Sequence, residues 1–501
     1  MNLQTTTCIL SALASPVFAG MQTPDPVNIT LDANYYTMAP VSDGGVIAIG
    51  QIKDENDEWD IVVRRVTPDM STTWTVTFGG TRLDDDYLLD ASPTPDGGAT
   101  VLCWIQDGEP GSLDRKLLAA KISSEGDVEW TKELTDHGLN GSWDSAHKSR
   151  LVTGPDGRTC IVENIIYESM LVRSLDAQGN LEWESTVDLQ ESGTEMALDI
   201  QMNAAGEVLI GGLWNGSLGD GSGHFYAALS PKGNQTWSHV VDPDGLGLSE
   251  TCFINVDSEG NWVTAGTLTT ENWKQQVYAA KFAPTGTLDW MTQYANEDGI
   301  SILVRDAALS TNDELVIGGL VWTSTRGMFA MKLDSDGDIK WAREDIQPLG
   351  NSHHSTRGVA IHEDGRIELV GSFTGTNGSE TDGMQLTVTM SSYGEVTHTT
   401  TWNPGTFGDV NRDVVIDAQD KVYTCGLANT TGTNFQYDGT IMQVNSCPAD
   451  VQGDGEVTVT DLLMILAAFG TDHPGADLNN DGIVDVADVL IILGNWNGCN
   501  G

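Results

Sequence analysis

Positive charge is what this chain most lacks. Its 501 residues hold 24 Lys plus Arg against 72 Asp plus Glu, a formal net charge of −48. Such a surface repels nucleic acid and anionic lipid, so neither is expected as a partner. The same excess of carboxylates keeps a protein soluble in salt and fits a saline habitat. Long apolar runs are missing too. No stretch of 18 apolar residues follows the N-terminal segment, which excludes a transmembrane helix and predicts no membrane span. Between residues 25 and 445 no segment has convincing helical periodicity. Catalytic signatures are likewise missing: no Gly-x-Ser-x-Gly elbow, His-Glu-x-x-His pair, P-loop or dinucleotide glycine pattern occurs.

Cysteine is scarce, with seven in all. Cys103, Cys160, Cys252 and Cys425 sit in apolar strand-like runs and read as small core residues. Cys447 and Cys499 bracket a C-terminal segment and are placed to form a disulfide across it. Cys8 belongs to the apolar stretch Cys8–Ala19, whose small-residue ending Val17-Phe18-Ala19 reads as a signal-peptide cleavage pattern, although no Lys or Arg precedes Lys53. Residues 1–19 are therefore expected to be a signal peptide, and the protein to be secreted or on the cell surface.

What the chain has in abundance is repetition. Trp74, Trp130, Trp183, Trp237, Trp290 and Trp341 are spaced by 56, 53, 54, 53 and 51 residues, and His398 stands 57 residues after the last. Each Trp ends a similar phrase, as in Ser123-Ser-Glu-Gly-Asp-Val-Glu-Trp130 and Asp334-Ser-Asp-Gly-Asp-Ile-Lys-Trp341. A second element recurs eight times: an apolar strand that usually ends in Gly, as in Val46-Ile-Ala-Ile-Gly50 and Leu315-Val-Ile-Gly-Gly319. A third leads into the Trp phrase, as in Val277-Tyr-Ala-Ala-Lys281. Alternation, β-branched residues and Gly/Asp turns argue for strands. A period near 50 residues with about four strands per unit predicts a mainly β fold, an eight-bladed β-propeller over residues 20–446. Only seven Trp-strand equivalents lie within the array. The eighth is expected from Val27–Leu31, and without it the count falls to seven. Closure matters because an open ring exposes two strand edges.

The phrase Leu175-Asp-Ala-Gln-Gly-Asn-Leu-Glu-Trp183 resembles the tryptophan-bearing propeller repeats of bacterial secreted proteins, and more loosely the quinoprotein repeat. The resemblance implies that each Trp packs between adjacent blades. Trp143, Trp214, Trp273 and Trp322 lie outside the repeat position and are the better candidates for stacking on a sugar. His353-His354 reads as part of a polar surface loop and Asp84-Asp85-Asp86 as a solvated one. Asp334, Asp336 and Asp338 belong to a repeat turn and are not a metal site. A glycosidase needs two facing carboxylates, which no pattern singles out among 72 acidic residues. No arginine cluster of the kind a sialidase-like propeller needs stands out, and no quinone contacts are identifiable.

Near the C-terminus two twelve-residue acidic loops begin 27 residues apart, at Asp450 and Asp477. Loop positions 1, 3, 5, 9 and 12 carry oxygen side chains: Asp450, Gln452, Asp454, Thr458 and Asp461 in the first, Asp477, Asn479, Asp481, Asp485 and Asp488 in the second. Position 6 is Gly in both, and position 7, Glu456 or Ile483, completes each ligand set. Calcium, a hard cation with six to eight oxygen ligands, needs that arrangement. The apolar runs Leu462–Phe469 and Val489–Leu493 read as short helices leaving the loops. Asp at position 12 resembles type I dockerin domains, over residues 447–499, and the ending Trp496-Asn-Gly-Cys499 resembles GC-type dockerin-domain-anchored bacterial proteins. The resemblance implies two calcium ions, calcium-dependent folding and attachment to a cohesin-like or envelope anchoring protein. Positions 10 and 11, Val459-Thr460 and Val486-Ala487, depart from the small hydroxyl residues that cellulosomal dockerins often use there. Asp485 against Thr458 at position 9 predicts tighter calcium binding in the second loop.

The expectation is a small α-helical calcium module over residues 447–501 following a noncatalytic propeller with a carbohydrate or protein ligand. The alternative is a polysaccharide-active enzyme, a hydrolase or lyase, carrying a dockerin.

Overall fold

The computed structural model describes residues 27–496 except 32, 55–57, 80–85, 107–114, 135–148, 165–168, 188, 190–192, 217–221, 246–251, 270–273, 323–326, 347–352, 375–382, 403–408, 429–437, 445–448, 450, 452–456, 472–475 and 479–482. Among them, thirty-two strands pair into eight antiparallel sheets of four. Seven sheets take consecutive strands. Blade 1 starts at Ala33 and ends with the Trp74 strand, Thr72–Phe78. The eighth blade is completed from the other end of the chain. Its first three strands are Val410–Ile416, Val422–Ala428 and Asp438–Val444, and its fourth is Val27–Leu31, paired Val27 to Gln443 through Leu31 to Gly439. The count is therefore eight. Pairing the two ends of the array in one blade leaves no open sheet at the join.

The first strands of the blades stand side by side in a closed ring, each against the first strand of the next. They line the central shaft, and the Trp strands form the rim. The second strands are almost wholly buried apolar, as in Trp262–Thr269, while Trp strands alternate exposed and half-buried residues. Inter-blade clusters carry the core. One joins Val162 and Val172 of blade 3 to Ile200 and Phe225 of blade 4.

Most first strands carry a one-residue bulge, and the recurrent Gly of the second strand sits opposite it. A Cβ there would lie 2.0 Å from Met196 O at Gly212 and 2.1 Å from Leu303 O at Gly319. No side chain fits against a carbonyl at that distance, so glycine takes this place in most copies, and the strand runs on past it, to Lys53, Gly216 and Trp322 in blades 1, 4 and 6.

Two short helices follow the propeller, α1 (Val459–Ala468) and α2 (Val486–Gly494). Each starts with a capping box. Thr458 caps α1 with Asp461 reaching back to the Thr458 N–H, and Asp485 caps α2 with Asp488 reaching back at 2.7 Å. Ala449, Val457, Ile465, Ala476, Val484 and Ile492 form their small core. No helix among the described residues is long and apolar enough to cross a membrane.

Candidate functional site in the propeller shaft

The bulges aim one side chain per first strand away from its sheet. In blades 6, 7 and 8 the skipped residue is Arg305, Arg357 and Arg412, and in blade 1 it is Tyr36. Arg412 lies over the Tyr36 ring, 4.5 Å from its centroid. Burial depresses the Arg357 guanidinium below its ordinary value, and the charges of Arg305 and Arg412 depress it further. The three arginines are thus neighbours around one arc of the shaft. The same bulge position holds Leu89 in blade 2 and Leu198 in blade 4. At the bulge position, arginine stands only in blades 6, 7 and 8 among the described residues, while Arg150 of blade 3 faces the shaft carboxyls Asp90 and Asp199 from its first strand.

A second set occupies the residue after the bulge in alternate blades: Asp90, Asp199, Asp306 and Asp413. Each accepts from the N–H of the following residue and from a first-strand N–H of the next blade. Asp199 takes Ile200 N at 2.8 Å and Ile254 N at 2.7 Å, and Asp306 takes Ala307 N at 2.8 Å and Val359 N at 2.7 Å. Asp90 reaches Leu151 N at 2.8 Å, and Asp413 closes the ring onto Met38 N at 2.8 Å. Enclosure in the shaft raises all four carboxyls, to about 7 at Asp199 and Asp306, against the pull of these N–H groups. Both oxygens of each carboxyl are engaged by backbone, so the set latches blades together.

At the turn-bearing end, a cavity of about 730 Å³ opens over blades 7, 8 and 1, between Val41, Ile361, Asp364, Ile416, Asp417 and Asp420. It lies on the same arc as the arginines, a few residues further along the same strands.

Several expectations are corrected. An arginine cluster does exist, although no sequence run announces it. Its signal was positional: Val304-Arg-Asp, Thr356-Arg-Gly and Asn411-Arg-Asp place Arg at one repeat position, 52 and 55 residues apart. His353-His354 is no surface loop. It opens the first strand of blade 7, His354 is fully buried, and its ring lies 5.1 Å from that of Phe373. Asp86 is buried, not solvated. Trp214 is core, which removes it as a stacking platform, while Trp322 keeps half its surface exposed. Asp84, Asp85, Trp143 and Trp273 lie outside the described residues. The thiols of Cys103, Cys160 and Cys425 are buried and free, and burial pushes that of Cys160 to about 12. The Cys252 side chain, Cys8, Cys447 and Cys499 lie outside the described residues.

Of the calcium-loop residues, Thr458, Asp461, Asp477, Ile483, Asp485 and Asp488 are described, whereas Asp450, Gln452, Asp454, Glu456, Asn479 and Asp481 lie outside the described residues. Asp461, Asp477 and Asp488 are buried. One Asp488 oxygen accepts from Leu478 N at 2.6 Å across the second loop. Among the described residues no three His, Cys, Asp or Glu side chains gather as a metal site. No Lys or Arg follows Lys421 in the sequence, and the donors that the module offers are carboxylate and hydroxyl oxygens. That donor chemistry fits a divalent cation.

No protein-family model matches the chain, and no curated protein matches it. Solved structures similar to it include a eukaryotic initiation factor (9% identity, 84% of this chain and 87% of that one, TM-score 0.43) and puromycin hydrolase (12%, 70% and 51%, 0.42). The β-propeller domain of the Trilobed protease from Pyrococcus furiosus is another (8%, 72% and 98%, 0.39). At TM-scores below 0.5 these likenesses carry no argument about function.

Proposed function

We propose that this chain is a noncatalytic binding propeller, secreted and attached to a cell surface or extracellular complex through its C-terminal module. The module takes two calcium ions and docks onto a cohesin-like or envelope anchoring protein. The observation that supports this most is the set of buried carboxylates Asp461, Asp477 and Asp488 at repeated places in two capped loop-helix units that contain no Lys or Arg. Oxygen donors of this kind, at these loop positions, are what a hard divalent cation takes. Asp450, Gln452, Asp454, Glu456, Thr458 and Asp461 would hold one ion, and Asp477, Asn479, Asp481, Ile483, Asp485 and Asp488 the other. Calcium would supply the positive charge that lets each loop close.

The test is a calcium titration of the full chain followed by hydrogen exchange with and without chelator. Two ions should bind, and Asp477→Ala with Asp481→Ala should abolish the second-loop site, the tighter one. Chelation should release exchange in α1 and α2 and leave the propeller strands protected. A chain that binds no calcium at millimolar concentration, or whose helices stay protected in chelator, overturns the reading.

A further inference from the structure

We infer that the arc formed by Arg305, Arg357, Arg412 and Tyr36 is a binding site for a small oxyanion, a carboxylate or sulfate-like group entering the propeller shaft. The fold does not need arginine at these positions, because Leu89 and Leu198 fill the same bulge in blades 2 and 4. Three guanidiniums side by side repel one another, and the depressed Arg357 registers that repulsion together with burial. Among the described residues no carboxylate accepts from Arg357 or Arg412, and Arg357 and Arg412 both keep an exposed face. This is unusual in a chain with three acidic residues for every basic one, where basic side chains such as Lys121, Arg173, Lys281 and Lys332 are held in ion pairs. The Asp latches beside the arginines engage both oxygens of each carboxyl with backbone N–H groups.

The arc has the chemistry of oxyanion recognition. A guanidinium presents a planar fork that matches carboxylate or sulfate oxygens in pairs, and neighbouring blades supply three such forks. Tyr36 holds Arg412 by cation–π contact and adds a phenol to the wall. A small anion suits the site better than a polyanion, because the surrounding charge of −48 repels an extended acidic chain, whereas salt screens a small ion within about 10 Å at 0.1 M.

The inference is independent of calcium attachment, so a chain that binds no calcium leaves it standing. The test titrates the full-length protein with sulfate and with glucuronate at constant ionic strength, with glucose as the neutral control. Saturable binding of at least one anion and none of glucose is expected. Affinity should fall about tenfold or more in Arg357→Gln and in Arg412→Gln and stay unchanged in Lys340→Gln, which removes an equal charge from the exposed rim. Without anion, Arg357→Gln should melt no lower than the parent, since it relieves repulsion, and the anion-induced rise in Tm should vanish. A response to sulfate alone or glucuronate alone assigns the oxyanion class. The inference is overturned if neither anion binds saturably, if Arg357→Gln binds as well as the parent, or if Arg357→Gln melts lower than the parent and the parent gains no Tm from anion.

Discussion

Six of the eight seams between blades differ from the two that flank blade 8. In the six, a Trp on the outermost strand lays its ring on the Gly of the turn between the third and fourth strands of the next blade. Its indole N–H donates to a carbonyl of that turn, as in Trp183 to Pro231 O at 3.0 Å and Trp290 to Ser335 O at 3.0 Å. The Gly has positive φ, +79° at Gly233 and +81° at Gly337, and a Cβ there would sit 2.5 Å from the ring. The seam from blade 7 to blade 8 has His398 where the others have Trp. The reason is topological. The third strand of blade 8 is Asp438–Val444 and its fourth is Val27–Leu31, so no turn joins them, and among the described residues no Gly stands there to receive an indole. In the seam from blade 8 to blade 1 the roles reverse. The donor strand has no Trp, and the receiving turn carries Met70 in place of Gly at φ +63°. Met70 is buried in the cluster that joins Val62 and Val66 of blade 1 to Tyr423, Cys425 and Ile441 of blade 8. Ring and glycine therefore disappear together, and a thioether occupies the join.

The shaft treats the seams differently from the rim. Asp413 ties blade 8 to blade 1 as Asp90, Asp199 and Asp306 tie theirs. At the turn-bearing end, blade 8 adds polar clasps. Asp420 accepts from Arg366 Nη2 of blade 7 at 2.6 Å and meets His362 Nδ1 at 2.5 Å, and Asp417 accepts from Gly45 N of blade 1 at 2.8 Å. The join thus adds polar and ionic contacts to the apolar cluster around Met70.

The largest effect that sharpens this contrast is expected at a receiving glycine. Gly337→Ala incurs both the left-handed backbone and the collision with Trp290, about 3 kcal/mol in all. Gly260 has φ +84° and nothing within 4 Å of a Cβ, so Gly260→Ala incurs only the backbone term, about 1–2 kcal/mol. Denaturant unfolding of the two variants measures the difference, and equal losses would show that the rings do not depend on the bare turn.

A smaller effect is expected at the ionic clasp. Burial opposes the charge on His362, but Asp420 and Glu368 outweigh it and raise the imidazole above its ordinary 6.5, while Arg366 acts the other way. Burial also opposes charge on Asp420, yet His362 and Arg366 hold it below 3.8. The His362 contribution is therefore fully present below pH 6.5 and is lost as pH rises through the raised value. The Asp420 contribution is present above pH 3.8 and is lost as pH falls through the lowered one. Half of the Asp420 side chain is open to solvent, which screens the pair, so Asp420→Asn should cost about 1 kcal/mol at pH 6 and less at pH 9. Thermal melts of both proteins across that range test the sign, and a penalty that grows with pH would reverse the assignment.

How much of this was legible in the sequence follows from what repeats and what does not. The Trp period located the seams, and Val27–Leu31 stood out as the strand needed for an eighth blade. The recurrent Gly was visible, though it lies inside the second strand and does not end it, and its cause, a carbonyl at a bulge on the neighbouring strand, exists only once the two are paired. The Asp latches were missed because they recur at about twice the blade period, at 109, 107 and 107 residues, with unlike neighbours. The arginine arc was missed because each Arg is solitary in sequence, and only ring closure brings three of them to one side of a shaft. His353-His354 was misread because its polar approach, Gly350-Asn-Ser, hides the start of a first strand that buries every second residue at its opening.

The smallest effect is the most discriminating for the closing seam. If the missing turn is why residue 398 is not Trp, then placing an indole there gains nothing. His398→Trp should leave stability within about 0.5 kcal/mol of the parent, because the new indole meets neither a glycine shelf nor a turn carbonyl. The reverse change at a regular seam, Trp341→His, removes the bond to Ser392 O at 2.9 Å and uncovers the ring bed at Gly394, and should cost about 3 kcal/mol. Side by side, the pair separates two explanations for one histidine. Divergence of a dispensable position predicts that the introduced indole stabilises as the other six do. Ring closure by the strand from the far end predicts that it does not, since the corner the indole would rest on belongs to two different ends of the chain.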